Sequence, residues 1–211
     1  MDGKLMKRLI TAFLIPLLIA VPELAFAQRG VQAIVTQQAS AGSVLKDSFT
    51  TAANARLSLR DSSTDTKIAY RWVAGSSYSL TAIELNMCQY AGSPSGNVTV
   101  SVYNDNGLSS PNTAPGTSDF GDSTAIAASS ITASCQLTLL NTMFNFASSV
   151  SITNGTSYWI VVSGTYTISA SNYCAAYYFI GTGGYSATYN GSAWSNTNYA
   201  TNQGMYATYG Y

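Results

Sequence analysis

The chain has 211 residues, of which 46% are hydrophobic, 12% aromatic and only 9% charged; nine basic side chains balance nine acidic ones and there is no His. A neutral chain without clustered Lys or Arg argues against nucleic acid and anionic membrane surfaces as partners, since both are held by concentrated positive charge. Without His, a Ser or Cys nucleophile has no ordinary general base, so triad chemistry falls away.

The first element in chain order is a leader. Lys4, Lys7 and Arg8 precede an apolar run from Leu9 to Val21, and Ala25-Phe26-Ala27 offers small residues where a signal peptidase cuts. Pro16 interrupts the run and Pro22 closes it, short of the ~20 residues a spanning helix needs. Residues 1–27 are therefore expected to be a signal peptide, giving a secreted, extracellular or cell-surface protein with no membrane span after cleavage. Residues 28–44 read as a linker or N-terminal arm, and residues 45–211 as one domain.

From there the hydrophobic period is two, and Gly, Ser, Asn and Pro clusters punctuate it. One or two edge strands are expected after Leu45, then a core strand at Ile68–Val73 and a longer one at Leu80–Tyr90. In the latter, Ile83, Leu85 and Met87 share one face, with Glu84, Asn86 and Cys88 on the other. The Gly92–Gly96 turn leads to Asn97–Asn104, with Val98, Val100 and Val102 inward, and the pair reads as a hairpin. Asp105 to Asp122 reads as a long polar surface loop. Further strands are expected at Thr124–Ile131, Cys135–Phe146, Tyr158–Val162 after an Asn154-Gly155 turn, and Asn172–Ile180. A hairpin around Asn190-Gly191 spans Tyr185–Ser195, and Gly204–Tyr211 closes the chain. About nine strands of this kind make an all-β, antiparallel two-sheet β-sandwich.

Three Cys follow the leader: Cys88, Cys135 and Cys174. Their spacing matches no zinc motif, and an odd number in an oxidising compartment allows one disulfide plus one thiol. The third thiol is either buried or paired with another chain. Antiparallel pairing of Leu80–Tyr90 with Cys135–Phe146 would set Cys88 beside Cys135.

The carboxylates after the leader, apart from Asp47, Asp61, Asp65 and Glu84, are Asp105, Asp119 and Asp122. These last three fall in one loop region. They read as turn formers, with a structural calcium site as the alternative and a glycosidase pair as a remote one. No other cofactor is implied. From Ser123 to Tyr211 there is no charged residue, and most of the 15 Tyr lie there. Trp72, Tyr158, Trp159 and Phe179 read as core. Tyr185, Tyr189, Asn190, Trp194 and Tyr199 instead mix aromatic faces with amides near turns, a composition suited to stacking on sugar rings or to adaptable binding. Trp194 is equally readable as a plug at the sandwich end.

The segments "TKIAYRWVAGSSYSLTAIELNM", "GSPSGNVTVSVYNDNG", "GTSYWIVV", "YNGSAWS" and "MYATYGY" come in an order that resembles the choice-of-anchor R type domains. The matching positions include Gly92, Ser93, Pro94, Gly96, Asn97, Tyr103, Asp105, Gly155, Thr156, Tyr158 and Trp159, and the likeness covers roughly residues 45–211. It implies a jelly-roll-like β-sandwich of an exported bacterial protein, similar in outline to carbohydrate-binding modules, with an accessory or surface role. The expectation is a non-catalytic, adhesin-like domain whose partner is a glycan or cell-surface component. The alternative is a self-assembling surface-layer or fibre subunit whose partners are other copies of itself, and a sugar-active enzyme comes third.

Overall fold

A computed structural model describes residues 42–62, 65–109, 112–181, 183–195 and 202–211. The expected signal peptide and most of the N-terminal arm lie outside the described residues. In chain order the strands are β1 (Val44–Phe49), β2 (Ala55–Leu59), β3 (Lys67–Val73), β4 (Tyr78–Leu85) and β5 (Met87–Ala91). β6 (Asn97–Asp105), β7 (Pro115–Asp122), β8 (Ile126–Ala127), β9 (Thr142–Ile152) and β10 (Ser157–Gly164) follow. β11 (Tyr173–Ile180), β12 (Ser186–Tyr189), β13 (Trp194–Ser195), β14 (Asn202–Gly204) and β15 (Tyr206–Gly210) complete the chain. Among the described residues there is no α-helix, only a single 3-10 turn at Ala128–Ser130, and no helix long and apolar enough to cross a membrane.

All pairings are antiparallel, and the fold is the expected sandwich. One layer is a seven-stranded sheet in the order β13-β12-β3-β10-β6-β7, with β8 also on β6. The other layer holds two sheets rather than one, β1-β15-β4-β9 and β14-β11-β2, with β5 also on β11. The chain crosses between layers at most connections, as jelly-roll-like sandwiches do. Two-residue periodicity turns Ile68, Tyr70, Trp72, Val98, Val100, Val102, Tyr158, Ile160 and Val162 inward from the seven-stranded sheet. Leu80, Ile83, Leu85, Phe144 and Val150 meet them from one facing sheet, and Leu59, Ala176 and Tyr178 from the other. Each fully buried Val, Leu or Ile contributes ~1.5–3 kcal/mol of transfer free energy, so this layer interface dominates stability.

The second layer divides because one expected strand breaks. Leu80–Tyr90 is β4 and β5 separated by the buried Asn86. β4 pairs with β15 as far as Leu85↔Tyr206, after which the two strands diverge. β11 enters the gap there: the Tyr177 amide donates to the Asn86 carbonyl, and the Met205 amide donates to the Tyr177 carbonyl.

Several local expectations are corrected. The Gly92–Gly96 turn does not close a hairpin, since β5 pairs with β11 while β6 pairs with β10 and β7; it carries the chain from one layer to the other. The supposed loop after Asp105 contains β7, whose exposed face carries polar residues and masks its strand character. The strand expected at Cys135–Phe146 starts only at Thr142. Among the described residues there are fifteen strands rather than about nine, many of them two to five residues long.

Cys88 and Cys135 form a disulfide, with Cα atoms 5.2 Å apart. The expected antiparallel pairing exists as β4 with β9, down to Leu85↔Thr142. The bridge lies past the end of that ladder, where an exposed irregular segment is tied back by the Gln89 amide to the Thr132 carbonyl (2.9 Å) and by Asn86 Nδ2 to the Gln136 carbonyl (2.7 Å). Cys174 is free and wholly buried. Burial raises its thiol to about 11 against the lowering effect of the hydrogen bond with Tyr166. Pairing of this thiol with another chain is thereby ruled out for the folded domain.

Candidate functional site

The outer face of the seven-stranded sheet carries the chemistry. Register aligns Arg71 on β3, Trp159 on β10, Tyr103 on β6 and Asp119 on β7 across one row. The Arg71 amide donates to the Tyr185 carbonyl at 3.0 Å, which sets Tyr185 at the β12 end of that row. In the next row Ala187, Ala69, Val161 and Ser101 give small or apolar positions. Ala69, Trp159, Val161 and Ala187 form a second buried cluster on this outward side, and the partly buried rings of Tyr103, Tyr185 and Trp194 pack against it. A sheet face without an opposing layer ordinarily meets solvent; here its own aromatic side chains cover it.

Asp105 is the polar centre of this face. Its Oδ2 accepts from Arg71 Nε at 2.7 Å, Trp159 Nε1 at 3.1 Å and Thr113 Oγ1 at 3.1 Å, and its Oδ1 accepts from the Gly107 amide at 2.9 Å. Burial pushes this carboxyl upward. The bonds from Gly107, Arg71 and Trp159, together with the Arg71 charge, outweigh that and hold it below the usual Asp range. Arg71 Nη2 also donates to Ser157 Oγ at 2.7 Å, so two of its five N–H groups have these acceptors. Its guanidinium carbon lies 5.2 Å from the centre of the Tyr185 ring.

Beside this network is a cleft of about 230 Å³, where Arg71, Tyr185 and Gln203 meet Ser48, Phe49 and Tyr206. Gln203 Nε2 donates to the Arg71 carbonyl at 3.3 Å, which leaves its Oε1 as an acceptor. β14 reaches this position because Gly204 lets the backbone pass over the Tyr70 ring; a Cβ there would overlap it.

The other residues singled out by sequence have separate places. Tyr189 and Trp194 pack together across the β12–β13 hairpin, ring centres 5.1 Å apart, and Lys67 Nζ lies 5.6 Å from the Tyr189 ring centre. Asn190 is a turn former: its Oδ1 accepts from the Ser192 and Ala193 amides, both at 2.9 Å, and Gly191 takes φ 95°. Tyr199 lies outside the described residues. Trp72 and Tyr158 are core, as expected, and Trp159 is fully buried but on the outward side. Glu84, on the face of its strand opposite Ile83 and Leu85, is half-buried and accepts from the Tyr209 hydroxyl at 2.9 Å.

The three loop carboxylates do not form a shared site. Asp105 is enclosed by the donors just described, Asp119 accepts from the Gly121 amide at 2.9 Å, and Asp122 accepts from Ser101 Oγ. Among the described residues no three His, Cys, Asp or Glu side chains are grouped to hold a metal. The β7 ladder explains why: it strings Asp119 and Asp122 along a strand opposite Tyr103 and Ser101, while Asp105 faces Pro115 at its far end.

Sequence reasoning missed Arg71 and Gln203. Arg71 sits inside "IAYRWV", where the apolar pattern draws attention to the core residues on either side. A cation flanked by apolar and aromatic residues within a strand, in a chain so poor in charge, was the available signal. Gln203 offered none. No protein-family model matches the chain, and no curated protein matches it.

Proposed function

We propose that this is an exported, non-catalytic β-sandwich that binds a glycan of a cell surface or extracellular matrix through the outer face of its seven-stranded sheet. The observation that carries this reading is the partly exposed Tyr185 ring beside a fixed guanidinium and an amide at the cleft, on a sheet face that also carries the partly exposed rings of Tyr103 and Trp194. Aromatic faces stack on the C–H faces of sugar rings, while planar donors and acceptors take up their hydroxyls. Export is supported by the leader pattern at Lys4–Ala27 and by the Cys88–Cys135 disulfide, a bond that persists in oxidising compartments. The order of motifs resembling choice-of-anchor R type domains agrees with a surface accessory role. A non-catalytic reading fits the absence of His from the sequence and the enclosure of Asp105 by its donors.

A glycan array probed with the protein from Gln28 onward tests this. Specific binding of an oligosaccharide, weakened in Trp194→Ala, is the expected result. Sugar release that disappears in Asp119→Ala would overturn the non-catalytic part.

One observation favours the self-assembly reading. β1 pairs with β15 on one side only among the described residues, and its exposed Val44 and Leu45 border that edge. Concentration-dependent polymers that form without any glycan, and dissolve when Val44 and Leu45 become Glu, would give this reading precedence.

A further inference from the structure

We infer that the cleft beside Tyr185 takes a single neutral pyranose unit, the terminal sugar of the bound glycan. One face of the sugar lies on the Tyr185 ring, and two adjacent hydroxyls are shared between the Arg71 guanidinium and the Gln203 side-chain carbonyl. This inference rests on the glycan reading above and sharpens it to one subsite and one ligand class.

Size comes first. At about 230 Å³ the cleft is below the roughly 300–1,000 Å³ of pockets for drug-sized ligands, so it suits one ring rather than a chain. Its lining is also divided as a pyranose is divided. Tyr185, Phe49 and Tyr206 supply apolar ring surface, and Arg71, Gln203 and Ser48 supply hydrogen-bonding groups. A sugar ring has the same two aspects, a C–H face and a rim of hydroxyls.

The polar groups are fixed before any ligand arrives. Arg71 is held by Asp105 at Nε and Ser157 at Nη2, and its own carbonyl holds Gln203 Nε2. Among the described residues, three of the five guanidinium N–H groups remain for hydroxyl oxygens, and Gln203 Oε1 accepts from a hydroxyl hydrogen. Little side-chain freedom is then lost on binding, which is how a small contact reaches measurable affinity.

Charge selects the ligand class. Arg71 is the only charged residue among the described lining residues, and Asp105 at 2.7 Å already offsets it. A uronate carboxylate would compete with Asp105 for the guanidinium, whereas a neutral diol does not.

The test uses ligand-observed saturation-transfer NMR and calorimetry on the protein from Gln28 onward. Methyl glycosides of neutral hexoses are compared with the matching uronic acids, alongside the oligosaccharide found on the array. The inference predicts binding of at least one neutral hexoside, reduced roughly tenfold or more in Tyr185→Ala and in Gln203→Ala. Trp194→Ala, in contrast, weakens only the oligosaccharide. If oligosaccharide and hexoside binding both survive Tyr185→Ala and Gln203→Ala, the cleft assignment fails and the glycan reading stands. A preference for the uronic acid overturns the neutral class. If no glycan binds the wild type, both readings fall. Thermal unfolding of each variant shows that it is folded, and if Tyr185→Ala does not fold, Gln203→Ala decides.

Discussion

The two faces of the seven-stranded sheet are built by the same strands to different ends. Inward, β3, β6 and β10 present Ile68, Tyr70, Trp72, Val98, Val100, Val102, Ile160 and Val162, and these meet the opposing layer. Outward, the same strands present Arg71, Tyr103 and Trp159, and the cover comes from neighbouring side chains on the same sheet. Trp72 and Trp159 mark the contrast. Trp72 sits among rings, with Tyr158 at 5.1 Å and Tyr206 at 6.4 Å, whereas the Trp159 indole donates to Asp105 at 3.1 Å. The inner face holds the fold by area. The outer face trades some of that area for fixed polar groups, the arrangement a binding surface needs.

The largest effect should follow from emptying the inner face. Trp72→Ala removes a buried ring between the layers and should cost ~3–5 kcal/mol, measured by denaturant unfolding. Replacing both Cys88 and Cys135 by Ser opens a loop of 47 residues and should cost ~2–4 kcal/mol, read the same way. On the outer face Trp159→Phe keeps most of the ring but leaves Asp105 short of one donor; the expected loss is ~1–2 kcal/mol. If Trp159→Phe proved as damaging as Trp72→Ala, the two faces would not differ as described.

Titration should separate the faces as well. Asp105 is depressed, so its stabilisation is complete above the ordinary Asp value of about 3.9 and is lost as pH falls through its folded value. Because the group is partly exposed, solvent screening keeps the total modest. Cys174 on the inner side is raised to about 11, so its contribution is complete below about 8.5 and fades as pH rises towards 11. Melting temperature against pH checks both: Asp105→Asn should flatten the acid limb, and Cys174→Ala the alkaline one. Smallest of all, Trp194→Ala should change stability by less than ~1 kcal/mol, because its ring lies at the edge of the outer cluster.

The fold was largely legible because alternation reports burial directly. Ile68–Val73 and Asn97–Asn104 read correctly since their inward faces lie in a single core, and Tyr158–Val162 since its unbroken apolar run is buried on both faces. Alternation reports nothing about partners, so the Gly92–Gly96 crossing looked like a hairpin. It also fails where a strand is exposed, as with β7. At the candidate site, Tyr185 was visible as a ring near a turn. Gln203 became relevant only because β14 folds back beside β3, a contact across more than a hundred residues that no local pattern encodes.

The central claim is that the outer face of the seven-stranded sheet meets the ligand. Isotope-edited NMR of the labelled protein, titrated with the oligosaccharide selected on the array, tests it most directly through the Arg71 Nε–H, Gln203 amide and Trp159 indole signals. Shifts concentrated on these groups and on the backbone of Tyr185 are the predicted result. Shifts confined to the exposed edge of β1 or to the β2–β11 sheet, with the Arg71 and Gln203 signals unmoved, would contradict it.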